Sequence, residues 1–222
     1  MATPLRESYR AHLRRRVLEA AYAETVEKGW EKVRVGHIAI LIGAPRAMLY
    51  KEFGDKQALG EALVLHEADR FLAGIKNLLA SYPTDAAGGI QAAVHYTLAE
   101  AERSPLLRAV LVSHRDPALE TDVLDARKGM LPLITTSGRL LDVASEALAA
   151  WMHQQFPHLD VTDVQNATDA LVRLAVSHLA LPGADAEATG QQISEVALRY
   201  LGLRRSETAD GARGVDPAVT AR

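Results

Sequence analysis

The chain has 222 residues, 48% apolar and 24% charged, a balance that suits a folded globular protein and fits neither a disordered nor a fibrous one. It has no cysteine, which excludes disulfides, thiolate metal sites and cysteine nucleophiles together. The formal charge of −3 conceals an asymmetry: residues 1–60 carry 11 Lys and Arg against 7 Asp and Glu, and residues 61–222 carry 14 against 21. A basic N-terminal quarter on an acidic body points to that quarter as the part that meets a polyanion. The opening Met-Ala-Thr-Pro-Leu-Arg-Glu has no apolar stretch of the secretory kind. The longest apolar runs, such as Ile38 to Ile42, are far too short to cross a bilayer. A cytoplasmic protein with no membrane partner is the expectation.

Apolar spacing is helical almost throughout; only Lys32 to Val35 alternates in the manner of a strand, and that stretch is very short. A first long helix is expected from about Tyr9 to Lys28, with Leu13, Val17, Ala20, Ala21 and Thr25 on one face and Gly29 as its stop. A short helix from about Gly36 to Ile42 ends at Gly43. The next begins near Arg46 behind Pro45 and stops before Gly54. Asp55 then caps a long helix through Leu79. The stretch 81–89 reads as a linker. Beyond it, helices are expected near 90–102, 105–113, 120–155 (broken around Pro132 and Gly138), 161–181 and 186–201. Residues 204–222 have almost no large apolar side chain and are expected to be disordered or weakly docked. Three units follow: a helix-turn-helix domain over 1–55, a helical body over 56–203, and a tail over 204–222.

Short helix, glycine-containing turn, short helix is the helix-turn-helix arrangement, whose second helix enters the major groove. Ile38, Ala39 and Ile42 would pack the first of these helices inward, and Leu49 and Phe53 would pin the second. Pro45, Arg46 and Ala47 then lie at the end of the second helix that approaches base edges, with Tyr50 and Lys51 on or beside its outer face.

These residues resemble the TetR family of transcriptional regulators. Gly29, Ile38-Ala39, Gly43, Leu49-Tyr50, Phe53, Lys56 and Leu59 follow its signature of glycine, Ile-Ala, glycine and Leu-Tyr-x-x-Phe-x-x-Lys-x-x-Leu, and Val17-Leu18-x-Ala20-Ala21 matches the helix before it. The resemblance covers residues 13–65. Three sites depart from it: Arg34-Val35 stands where a capping threonine is usual, Glu24-Thr25 where a Leu-Phe pair is common, and Ile42 where alanine is common. Gly29-Trp30 and the segment 52–57 are similar to a subset linked to alkane and fatty-acid metabolism. The resemblance implies an all-α fold, with a three-helix DNA-binding domain and a larger helical domain for effector binding and dimerisation. It further implies a homodimeric repressor on a palindromic double-stranded operator, without cofactor or metal.

Lys56, at the start of a helix, is expected to meet a phosphate together with the free backbone N–H groups there. Tyr50 is expected to reach a phosphate through its hydroxyl. Arg46 either reads a guanine edge in bidentate fashion or contacts phosphate without sequence information. Lys51 and His37 are backbone candidates, and Arg14-Arg15-Arg16 either flanks DNA or forms a solvated helix face.

In the body no phosphate loop, serine elbow or metal-ligand spacing occurs, so no enzyme is expected. His153 and His158 lie five apart, off the spacing of a helical metal pair, and read as surface or capping residues; His95, His114 and His178 read as interior. Tyr96, His114, Arg115, Trp151 and Phe156 are the effector-pocket candidates. An elongated, mostly apolar effector suits the acidic body better than a polyanion. Leu171, Leu174, His178 and Leu181 on one helix and Ile193, Ala197 and Tyr200 on the next are the dimer-interface candidates, joined through Pro182-Gly183. The alternative is an all-helical ligand-binding or enzymatic protein whose helix-turn-helix does not function; titration against DNA separates the two.

Overall fold

Leu13, Val17 and Ala21 recur at four-residue spacing along the first helix, and all three are buried. They begin a core that the rest of the N-terminal region closes. The computed structural model describes residues 4–112, 133–181 and 185–203; the expected tail lies outside them. Within these residues the chain is helical, with one 3-10 turn and no strand. Helix α1 (Pro4–Lys28) starts earlier than expected, with proline at its first position, where a missing N–H is harmless. Gly29, at φ 81°, releases the chain into a 3-10 turn (Trp30–Lys32). The alternating Lys32–Val35 stretch is therefore not a strand. Val33 and Arg34 are extended, with Val33 buried, and α2 (Val35–Ile42) follows at once. Helix α3 (Arg46–Phe53) and the first turns of α4 (Lys56–Leu79) complete the unit, with Ile38, Leu49, Leu59 and Leu63 almost wholly enclosed.

The body comprises α5 (Ala86–Arg103), α6 (Pro105–Val112), α7 (Leu133–Gln155), α8 (Val161–Ala180) and α9 (Ala186–Tyr200). Helix α5 lies between α4 and α9, while α7 packs on α8, α6 and α4. Aspartate starts several helices: Asp55, Asp85, Asp160 and Asp185 each accept from backbone N–H groups of the first turn. The cap at Asp85 shortens the expected linker, because Gly88 and Gly89 are helical rather than loop. Their lack of a side chain serves packing: a Cβ at Gly89 would lie 2.6 Å from the Trp151 ring. The expected break at Gly138 is likewise absent, since a single glycine costs only about 1 kcal/mol within a long helix. Pro132 lies outside the described residues.

Gly89→Val should therefore destabilise the protein by about 1–3 kcal/mol through overpacking against Trp151. Urea unfolding measures it; a variant as stable as the parent would mean that Trp151 has room to move aside.

Candidate nucleic-acid interface and internal cavity

The turn between α2 and α3 is built by Gly43, at φ 67° and ψ 33°, a conformation that glycine adopts without strain. Its N–H bonds the carbonyl of Ile40, and the N–H of Ala44 reaches back to Ala39, a paired closure that ends α2 and aims α3 away from it. With Leu49 and Phe53 buried, α3 presents Pro45, Arg46, Ala47, Tyr50 and Lys51 to solvent, all five of the residues expected on this face. Arg46 donates to the Tyr50 hydroxyl at 2.9 Å, and its guanidinium carbon stands 5.1 Å from the Tyr50 ring centre. Its side chain also crosses Gly36, so the first turn of α2 abuts the outer face of α3.

Lys56 is held from two sides. Its Nζ donates to the Glu31 carbonyl at 3.0 Å and lies 5.2 Å from the Trp30 ring centre. Burial, then the neighbouring Arg34, lowers its pKa from the ordinary value of 10.5, with Glu31 opposing. Arg34 precedes α2 without any side-chain cap, so the missing threonine has no local replacement.

The Glu24-Thr25 departure from the signature has clear consequences. Thr25 donates its hydroxyl to the Ala21 carbonyl, and Glu24, though buried, is paired: with Lys28 at 2.9 and 3.0 Å and with His37 Nδ1 at 2.9 Å. The hydrogen bond from Lys28 leads in holding the Glu24 carboxyl below its ordinary 4.5; burial opposes it and His37 adds to it. Lys28 sits one helical turn after Glu24, a spacing visible in the sequence; the partnership with His37, thirteen residues away, is not. The arginine run serves the fold at two of its positions. Arg14 joins Arg10 on Glu52 of α3 and covers Phe53, and Arg15 pairs with Glu19.

In the body an apolar cavity opens among α4, α5, α6, α7 and α8. Phe71, Ile90, Val94, Leu111, Leu148 and Val176 are among its walls. The cavity volume is about 60 Å³, several times the roughly 10–15 Å³ that one water needs. Among the described residues Thr97 is its polar lining residue, and the Thr97 hydroxyl already donates to the Ala93 carbonyl at 2.8 Å.

The expected pocket residues that the structure describes, Tyr96, Trp151 and Phe156, do not line this space. Tyr96 projects from α5 over Gly74 instead and stacks on Phe71, so it backs the wall rather than facing the cavity. Trp151 and Phe156 pack edge to face, with Trp151 filling the gap above Gly89. His114 and Arg115 lie outside the described residues. Of the other histidines, His95 is exposed rather than interior, and the Nε2 of His153 is buried rather than at the surface.

Beside the cavity, two buried carboxylates join α4 to α5. Arg70 donates to Glu67 and to Glu100, Arg103 donates to Glu100, and the Ser104 hydroxyl donates to Glu67 while capping α6.

The expected interface stripe divides. Leu171, Ile193 and Ala197 point into the chain's own core, because they continue the inward rows of α8 and α9. Leu174, Leu181 and Tyr200 are exposed, as is Val196, and His178 is half-buried. Tyr200 at the end of α9 reaches Asp163 at the start of α8, so the two helices run antiparallel. Among the described residues no cluster of acidic and histidine side chains could hold a metal, and no helix is long and apolar enough to cross a membrane.

Comparison with known proteins agrees with this architecture. The family profile described as the C-terminal domain of the bacterial tetracycline repressor matches residues 85–199, and that of the tetR family of bacterial regulatory proteins matches residues 17–63. The HTH-type transcriptional regulator AlkX of Mycobacterium tuberculosis is 28% identical over 183 residues, covering 81% of this chain and 80% of the relative. Solved structures share the fold. The TetR family repressor AlkX from a Dietzia species, implicated in biodegradation of n-alkanes, aligns with a TM-score of 0.58 at 22% identity, over 84% of this chain and 96% of that one. A TetR-family regulator of Mesorhizobium loti aligns at 0.61 and 19% identity, over 86% and 96%.

The Glu24 cluster has a consequence for acid stability. A carboxylate held below its ordinary pKa stabilises the fold at neutral pH, and that stabilisation is lost as pH falls through the folded-state value, below 4.5. Glu24→Gln should therefore be less stable than the parent at neutral pH, with the difference shrinking below about pH 4.5. Urea midpoints across this range measure it; an unchanged gap in acid would assign the loss to packing instead.

Proposed function

Because the chain belongs to the TetR family of bacterial transcriptional regulators, we propose that it is a dimeric repressor released from a palindromic operator by a small, mostly apolar effector. The protein is a regulator with DNA-binding and ligand-binding domains, and its relatives are regulators rather than enzymes. In this reading residues 1–55 read DNA and residues 56–203 bind the effector and the second subunit, in the cytoplasm.

The observation that carries the effector class is the cavity wall. Among the described residues its lining is apolar except for Thr97, whose hydroxyl is committed to the backbone, so none of these side chains would solvate a polyanion. An alkyl chain is held by area burial, roughly 0.8 kcal/mol per buried methylene. The link of the Dietzia relative to n-alkane biodegradation agrees with this choice. A chain longer than a few carbons must push the walls apart, and Phe71 and Ile75 of α4 are among them. Thermal shift and DNA release with fatty acids, acyl thioesters and alkane-like compounds test the reading. Filling the space with Ala175→Phe should abolish release while DNA binding persists. Release by compact polar or polyanionic molecules alone would overturn it.

On the DNA side, Arg46 and Ala47 lie nearest the bases in this reading, and Tyr50, Lys51, Lys56 and His37 face phosphates. Lys56→Ala should weaken binding to all sequences alike and lower the slope of log K against log salt by about one unit. An unchanged slope and intercept would remove Lys56 from the contact set.

The exposed apolar side chains of α8 and α9 suit a twofold, four-helix contact between subunits. Leu174→Glu would face its own copy and bury two like charges. Sedimentation should then show monomers with lost DNA binding; a stable dimer of this variant would move the interface elsewhere.

A further inference from the structure

Glu24 is a buried carboxylate in the N-terminal part of the core, which is otherwise built there from Leu, Val, Ile, Ala and aromatic side chains. Lys28 binds both its oxygens, and Oε2 also meets His37 Nδ1 at 2.9 Å. An ionised carboxylate only accepts, so Nδ1 carries a proton and donates it. The second ring nitrogen, Nε2, belongs to a side chain that is 44% exposed in the first turn of α2, next to Gly36 and the Arg46 side chain that crosses it.

We infer that Glu24 positions His37 as a proton-dependent phosphate contact, so that DNA binding takes up a proton at each copy of this site. The inference rests on the DNA-binding reading above. With Nδ1–H fixed on Glu24, Nε2 can donate to a phosphate oxygen only when the ring is an imidazolium. The charged group the ring meets is Glu24, which Lys28 of α1 also holds; the Arg46 side chain of α3 reaches the neighbouring Gly36, and Arg34 precedes α2. Cations on these elements disfavour a further positive charge and Glu24 favours it; a phosphate on the open side supplies a second anion and tips the balance. The DNA-bound state thus prefers the protonated ring. Affinity is therefore greatest below the imidazole range and falls as pH rises through it.

The test is a titration of the full-length protein with a duplex of mixed sequence at low salt, since a phosphate contact carries no base information. Wild-type affinity should fall about three- to tenfold between about pH 6 and pH 8. His37→Gln should give a flat profile at the weaker level. His37→Lys, charged throughout, should give a flat profile at the stronger level, and this arm stands even if a Glu24 variant fails to fold. Glu24→Gln should move the wild-type curve to lower pH, an effect that a purely structural role for Glu24 would not produce. A flat wild-type profile overturns the inference, and so does a pH dependence that survives in His37→Gln. A Glu24→Gln curve superimposed on the wild type overturns the role of Glu24. If the wild type binds no duplex at any pH, the DNA-binding reading itself falls.

Discussion

One helix belongs to both cores. Over its 24 residues, about 36 Å at 1.5 Å per residue, α4 places Leu59 and Leu63 in the core of the helix-turn-helix unit and Phe71 and Ile75 in the wall of the cavity. Between these two anchor points it carries Glu67 and Arg70, which tie it to Glu100 of α5 and Ser104 at the head of α6. A helix packed at native density at both ends does not bend freely. Whatever widens the cavity against Phe71 therefore bears on the element that carries Lys56. The polar ties limit how α4 can move, because parting Arg70 from two buried carboxylates would leave uncompensated charge.

Neighbouring groups hold the cationic side chains proposed to contact DNA before any phosphate arrives. Lys56 rests on Trp30 and the Glu31 carbonyl, and Arg46 rests on Tyr50. Flexible cationic side chains held in this way lose less rotamer freedom on binding. A carboxylate is tolerated at Glu24 because its burial is opposed by the Lys28 ammonium and by a hydrogen bond from His37, whose side chain is itself partly exposed.

Much of this was legible in the sequence because local rules dominate where the chain is short and regular. Gly43, Asp55 and the spacing of Ile38, Leu49 and Leu59 announce the helix-turn-helix almost to the residue, and α3 exposes the expected side chains. The body was harder to read, for two physical reasons. Gly88 and Gly89 look like loop residues until the close approach of Trp151 supplies their purpose. Aromatic residues such as Tyr96 and Trp151 look like ligand groups, yet among the described residues the cavity is walled mostly by aliphatic side chains that any core would contain. Likewise, Leu171 and Leu174 lie three apart on a plausible stripe, but only one of them faces outward, because α8 already buries the row through Ala167, Leu171 and Ala175. Partners distant in sequence, such as His37 on Glu24 and Arg70 on Glu100, leave no local trace.

In the proposed function an apolar ligand in the cavity and DNA at α3 act on the same helix. Linkage requires that such coupling be reciprocal. The direct measurement is the affinity for a long-chain fatty acid, by calorimetry, with and without saturating promoter DNA. The account predicts that DNA weakens ligand binding by the same factor by which the ligand weakens DNA binding, at least about tenfold, or roughly 1.4 kcal/mol. A ligand that binds the cavity with equal affinity in both states would contradict it.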